Sequence, residues 1–428
     1  QARFNLAFDD GGETRNLKAK VGAVWRSSDR SYRSSRTDYT TKPGFIYTLD
    51  QVDRPGPDKL IEGQYRLTPR IDVATAEAFY AANADSFNVK TAAPTGDYDV
   101  TEDVFAGYAQ ASYRVGDLTL LGGLRYEKTE VSSDAARLSG GVLTPVSNSG
   151  DYDNWLPSLH LRWNLRQNMV VRAAWTNTIG RPDFGSLAAS ESISFDGSQP
   201  TLSRGNPGLK ARESEGLDLS FEYYPTDGLM SVALFTKDIA NEIFTLSSVQ
   251  NLDVGRGVEA VIVSTPTNAE TAKIRGVEVA FQQALTMLPA PFDGLGVSAN
   301  ATFLDTEFTF LTTAGKRHTG LFQQPATTTN ESIWYQRGPI EARVSHNYIG
   351  GFLETINDTI PNADQYWKGR HVYDASVSWR FGNGLTVFVE GQNLSNSGRR
   401  EVTGPGRTYL QESANYGRTY WVGLSASF

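Results

Sequence analysis

The chain of 428 residues has no cysteine at all, so disulfides, thiolate catalysis and zinc–thiolate sites are excluded together. It has 3 Met and 4 His, and the histidines, at 160, 318, 346 and 371, are scattered. No HExxH, GxSxG or phosphate-loop pattern occurs, so the residues point to no enzyme, metal or cofactor. A run of 18 apolar residues is missing too, which excludes a membrane-spanning helix but not spanning strands. Basic residues are outnumbered by acidic ones, leaving a net charge of -8, which speaks against a nucleic-acid partner. The apolar share, 39%, is low for a chain of this length. Either much of it is loop, or most strands keep one polar face.

The pattern that is present favours the second option. In "YWVGLSASF", 420–428, Tyr420, Val422, Leu424, Ala426 and Phe428 share one face. The same period of two runs through 105–115, 159–166, 217–224 and 372–381. Strands buried on both sides would read as continuous apolar runs. Short connections rich in Gly, Asn and Asp ("RVGD", "LRQN", "PTDG", "QRGP", "FGNG") alternate with long polar ones, roughly 28–99, 132–152, 178–212, 245–272, 307–327, 353–369 and 396–416. Long connections at every second position all leave one end of a sheet. That combination predicts an all-β fold, an antiparallel transmembrane β-barrel with long extracellular loops. A soluble propeller is the rival, but the hairpins are unevenly spaced and carry no repeated motif. One short loop helix is expected at 75–87, "TAEAFYAANADSF".

Counting gives one strand at 2–9 and seven hairpins: 17–27 with 104–115, 118–131 with 155–165, 169–178 with 215–224, 229–244 with 273–285, 295–306 with 327–336, 339–352 with 371–381, and 385–395 with 418–428. That makes about 15 strands, an odd number, where bacterial single-chain barrels use even ones.

Four segments carry a family resemblance. "GNPGLKARESEGLDLSFEYYPTDGLMSVALFTKDIANEI", 205–243, contains Asn206, Pro207, Leu209 and Lys210, with Ala211 where the family usually has Pro. "IRGVEVAFQQAL", "LTVFVEGQNLSNS" and "YWVGLSASF" follow in order. Together they resemble the C-terminal β-barrel of TonB-dependent outer-membrane receptors. "RPDFGSL", 181–187, resembles a branch linked to carbohydrate uptake. The resemblance implies a 22-stranded barrel behind an N-terminal plug, in the bacterial outer membrane. On that reading residues 1–428 are the C-terminal part of the barrel, with the plug not present; a complete barrel of 14 or 16 strands is the alternative. The implied function is TonB-dependent import of a scarce nutrient, an oligosaccharide before a siderophore. A passive porin, with the 28–99 connection folded into its lumen, and a soluble β-rich binding protein are the other readings.

The implied partners are outer-membrane lipid and lipopolysaccharide, the TonB complex through the N-terminal region, the barrel-assembly machinery and the imported ligand. Terminal Phe428 resembles the signal that this machinery reads. Alternation places Arg125, Arg162, Glu222, Glu278, Arg343, Asp374, Arg380 and Glu390 on the polar face, as lumen-lining candidates. The aromatics Tyr39, Tyr47, Tyr65, Phe184, Tyr366, Trp367, Tyr409 and Tyr416 fall in the long connections. Their ring faces suit sugars or catecholates, which makes them ligand-binding loop candidates. The chain has 29 Arg against 11 Lys, and the guanidinium fork suits phosphate or carboxylate groups.

Overall fold

The computed structural model describes all residues except 14, 55–69, 92–93, 140–141, 196–198, 255–256, 313–314, 358–359, 361, 383 and 427–428. Fifteen strands follow one another in sequence order across a single antiparallel sheet. They are β1 (Ala2–Asp9), β2 (Arg15–Tyr32), β3 (Tyr98–Val115), β4 (Leu118–Ser139), β5 (Val142–Arg166), β6 (Met169–Gly180), β7 (Arg212–Tyr223), β8 (Gly228–Ala240), β9 (Thr271–Ala284), β10 (Leu295–Thr312), β11 (Thr327–Arg337), β12 (Ile340–Ile349), β13 (Arg370–Arg380), β14 (Leu385–Gln392) and β15 (Thr419–Ala426). Every expected strand is present. Among the described residues β1 and β15 each pair with one neighbour only.

Four of the five tight connections turn on a residue in the left-handed conformation. Gly116, Asp227, Gly338 and Gly384 all have positive φ, between 56° and 80°. At the other end the structure corrects the sequence reading. The stretch 132–152 is not loop: β4 and β5 stay paired from Leu118–Trp163 to Ser139–Val142. Its Ser-, Asp- and Gly-rich composition masked a regular ladder. β2 and β3 likewise pair from Arg15–Val115 to Tyr32–Tyr98, well beyond the ends expected at 27 and 104. The loop helix, α1, runs Val73–Ala82 instead of 75–87. Asp72 caps it by accepting the Thr75 N–H at 3.0 Å, and Phe87 already begins an extended segment.

The apolar face of the sheet is bare. Leu217, Leu219 and Phe221 on β7, Met230, Val232 and Leu234 on β8, and Tyr420, Val422 and Leu424 on β15 are all exposed. Leu424 keeps 72% of its surface, against 1% for Phe308 in a loop cluster. A water-soluble protein does not leave so continuous an apolar band uncovered. In a bilayer the same band is solvated by lipid, and the backbone groups of the inner strands, β2 to β14, are satisfied within the sheet.

The polar face is packed differently. Four glycines on it each lie directly across from an aromatic ring: Gly22 opposite Tyr108, Gly276 opposite Phe235, Gly296 opposite Trp334, and Gly423 opposite Phe388. A Cβ on Gly276 would come within 2.3 Å of Phe235, and one on Gly296 within 2.1 Å of Trp334. The rings therefore lie down over the neighbouring backbone.

Candidate ligand-binding site

The long connections are built into structure of their own. After β6 the chain reads Arg181–Leu187 and turns across the polar face of β3–β5. Arg181 inserts its guanidinium between two buried carboxylates: it is ion-paired with Glu127 and lies 3.7 Å from Glu102. Arg125 holds Glu127 at 2.5 Å, and Arg26 holds Glu102 at 2.7 Å. Asp183 then caps a one-turn helix, α2 (Phe184–Leu187), by accepting the Ser186 N–H at 2.8 Å. Leu187, Ala188 and Leu209 bury completely against Val100 and Val131. The Ala189 N–H donates to the Ser133 hydroxyl at 3.0 Å. The described part of this connection, from Arg181 to Ala189 with Leu209, thus packs against the polar face. Charge pairing and apolar burial act together to seat it.

The Asn206–Lys210 segment is a turn that ties this connection to the next one. Asn206 accepts the Gly208 N–H at 3.0 Å and donates to Pro266 O at 3.1 Å. Asn268 accepts the Lys210 N–H and donates back to Lys210 O, both at 3.0 Å. Two short strands, Glu191–Ser194 and Thr201–Arg204, then join the hairpin Ile243–Asp253/Val258–Asn268 in a four-stranded sheet. Its parallel contact, Thr201–Ser203 against Ile262–Ser264, couples two connections that are distant in sequence.

That register produces a row of hydroxyls. Ser192 lies opposite Ser203, Ser203 beside Ser264, and Ser264 opposite Ser247. The last two touch, Oγ to Oγ at 2.9 Å. Ser192, Ser203 and Ser264 line a cavity of 480 Å³ together with Tyr32, Arg36, Asp183 and Arg204. The Arg204 Nε sits 2.7 Å from Glu191. The cavity volume lies within the usual range for a small-molecule site. It is a polar bowl at the long-connection end, able to exchange hydrogen bonds with an oxygen-rich, anionic or hydroxylated molecule.

The sequence did not point to this bowl. Isolated serines carry no signal, and no local pattern reveals a parallel register between two loops. Of the described aromatic candidates none lines it. Tyr39 packs edge-on to Tyr80 at 4.7 Å, and Tyr47 lies 5.2 Å from Phe79, both within the first connection's own aromatic cluster around α1. Phe184 is half-buried against the seat of the 181–211 segment. Tyr366 and Trp367 sit beneath Arg407 and Arg399, at 3.7 and 3.9 Å from their ring centres. Tyr409 and Tyr416 are exposed elsewhere in the last connection. Tyr65 and Phe428 lie outside the described residues.

Strand pairing puts all eight charged candidates on the face opposite the exposed apolar one. Arg343, Asp374 and Glu390 come together around a cavity of 430 Å³. Arg125 borders a second one, 600 Å³, with Arg181 and His160. Arg162 lies in a third, beside Arg172, whose Nε is 2.7 Å from Glu222. Glu278 and Arg380 line none of these. His346 faces the apolar side, where its Nδ1 is 2.7 Å from Glu331 and its Nε2 2.9 Å from His371.

Comparison with known proteins fits this architecture. The family described as "TonB dependent receptor-like, beta-barrel" matches residues 1–394. The ferric enterobactin receptor of Pseudomonas aeruginosa is 30% identical over 180 residues, 39% of this chain and 23% of that protein. The ferric-catecholate import receptor Fiu from E. coli superimposes on the whole chain with a TM-score of 0.63 at 16% identity, covering 54% of its own length. The siderophore receptor PiuA from Acinetobacter baumannii covers 98% of this chain with a TM-score of 0.59 at 14% identity, again over 54% of its length. The chain thus spans about half the length of these solved receptors. The family match along 1–394, borne by one continuous antiparallel sheet with a bare apolar face, places this chain in the TonB-dependent receptor β-barrel family of the bacterial outer membrane.

Proposed function

We propose that this chain forms the wall and outer loops of a receptor that imports a ferric siderophore, drawing on TonB for energy. The observation that carries the reading is the hydroxyl- and arginine-lined bowl at the long-connection end, in a chain 30% identical over 180 residues to a ferric enterobactin receptor. In outer-membrane barrels the long connections face outward, so the bowl would meet ligand first. The charged polar face, with Arg125, Arg162 and Arg343, would then border the route inward.

The oligosaccharide expectation rested on the 181–187 segment. That segment has a complete structural role in the Arg181 ion pairs, the Asp183 cap and the burial of Leu187, so its presence says nothing about the ligand. The bare apolar band would face lipid, with lipopolysaccharide as its outer-leaflet neighbour. Recognition by the barrel-assembly machinery rests on Phe428 alone.

The test uses the full-length native receptor in a strain stripped of its own catecholate receptors. Uptake of radiolabelled ferric enterobactin should appear and should stop when a protonophore collapses the inner-membrane gradient. Uptake that ignores the protonophore would mean a passive channel. Energised uptake of an oligosaccharide with none of any catecholate would overturn the ligand class.

A further inference from the structure

The last two long connections form a second loop sheet, built from Phe352–Thr355, Gln365–Trp367, Arg399–Thr403 and Tyr409–Ala414. One row across it reads Phe352, Trp367, Glu401, Glu412. Directly opposed residues on antiparallel strands share a face, so Glu401 stands between the Trp367 indole and the Glu412 carboxylate. It retains only 7% of its surface. Among the described residues its carboxyl makes no hydrogen bond and no ion pair. Beside it the Trp367 Nε1 is buried with no partner, and so is the Thr403 hydroxyl two residues further along the strand. Trp367 itself is 9% exposed.

An unpaired carboxyl on a residue with so little exposed surface, facing the exposed Glu412 carboxylate, tolerates charge poorly. The groups acting on Glu401 come from each neighbouring strand: Glu412 from 409–414, Glu354 from 352–355, and Arg399 from its own strand. Arg399 is engaged with the Trp367 ring at 3.9 Å, and Glu354 accepts from the Gln323 side chain at 3.3 Å. Burial first, then Glu412 and Glu354, push the Glu401 carboxyl above its ordinary value of 4.5, against the opposing pull of Arg399. A neutral Glu401 has an O–H to donate, which the charged form lacks.

We propose that Glu401 is a proton-operated latch: neutral, it holds the two last long connections together as one sheet, and charged, it drives their strands apart. The sign follows from linkage. A carboxyl raised in the folded sheet stabilises it fully below the ordinary carboxyl range and loses that contribution as pH rises through its raised value. The outer loops over the barrel mouth would then close in mild acid and loosen toward neutrality. This does not depend on which ligand is carried.

Hydrogen exchange on the full-length receptor in detergent, corrected for the intrinsic pH dependence of amide exchange, reads the latch directly. Amides of 365–367, 399–403 and 409–414 should lose protection between about pH 4.5 and about pH 8, while the 243–268 hairpin stays level. Glu401→Gln should abolish the difference and remain protected throughout. Should that variant fold poorly, Glu412→Gln should move the transition to lower-lying charge repulsion, seen as a smaller loss of protection at high pH. Unchanged pH dependence in Glu401→Gln, protection that rises with pH, or no dependence in the native chain would each overturn the proposal.

Discussion

Arg181 offers the sharpest test of how the 181–211 segment is seated. Replacing it by Met removes the guanidinium that Glu127 and Glu102 share while keeping an apolar stem. Stripping one partner from a fully buried ion pair costs about 3–5 kcal/mol. Two features lower that figure. Glu127 keeps Arg125 and Glu102 keeps Arg26, so neither carboxylate is orphaned. Arg181 also retains 23% side-chain exposure, so solvent screens part of the attraction. About 2 kcal/mol remains as the expected loss. It should appear locally, because the burial of Leu187, Ala188 and Leu209 stays in place. Hydrogen exchange of residues 184–190 should therefore accelerate about 30-fold, with strand amides of β4 and β5 unaffected. Arg181→Lys should recover only part of this, since an ammonium cannot reach two carboxylates as a fork does. Acceleration below about threefold would refute the reasoning and leave apolar burial as the sole anchor.

Other expectations follow from single contacts. Phe310, fully buried between Phe244 and Phe308, should cost about 3–5 kcal/mol when changed to Ala, seen as faster protease cleavage of the 243–268 hairpin. Gly276→Ala should force the Phe235 ring off the sheet and cost about 1–3 kcal/mol, lowering the thermal midpoint of the barrel. Adding Phe235→Leu should restore much of it. The Thr75 hydrogen bonds hold the Asp72 carboxyl below its ordinary 3.8. Its support for α1 is thus present above that value and lost as pH falls through the lowered one. Exchange protection across 73–82 should drop in strong acid, and in Asp72→Ala at every pH.

Much of the sheet was legible because its signal is local. Alternation along β7 or β13 reports a face within a few residues, and a short connection with Gly, Asn or Asp marks each tight turn. The polar-face position of Arg343 or Glu390 needs only that parity. The length of β4 and β5 was not legible, because Ser, Asp and Gly replace the alternation with uniform polarity although the backbone pairing continues. The role of Arg181 was hidden for another reason. Its partners, Glu102 and Glu127, lie 79 and 54 residues earlier, and no local pattern names them.

By itself, then, the sequence determined a membrane-type sheet: strand order, the face of each side chain, and the end from which the long connections leave. All of these follow from periods and turns that one segment carries alone. Tertiary structure decided what those connections do. The serine row of the bowl needs a parallel register between 201–203 and 262–264. The crowding of Glu401 needs a strand from 409–414 laid opposite 399–403. Both are contacts between polar residues, for which burial and pairing, rather than residue type, set the physical consequence.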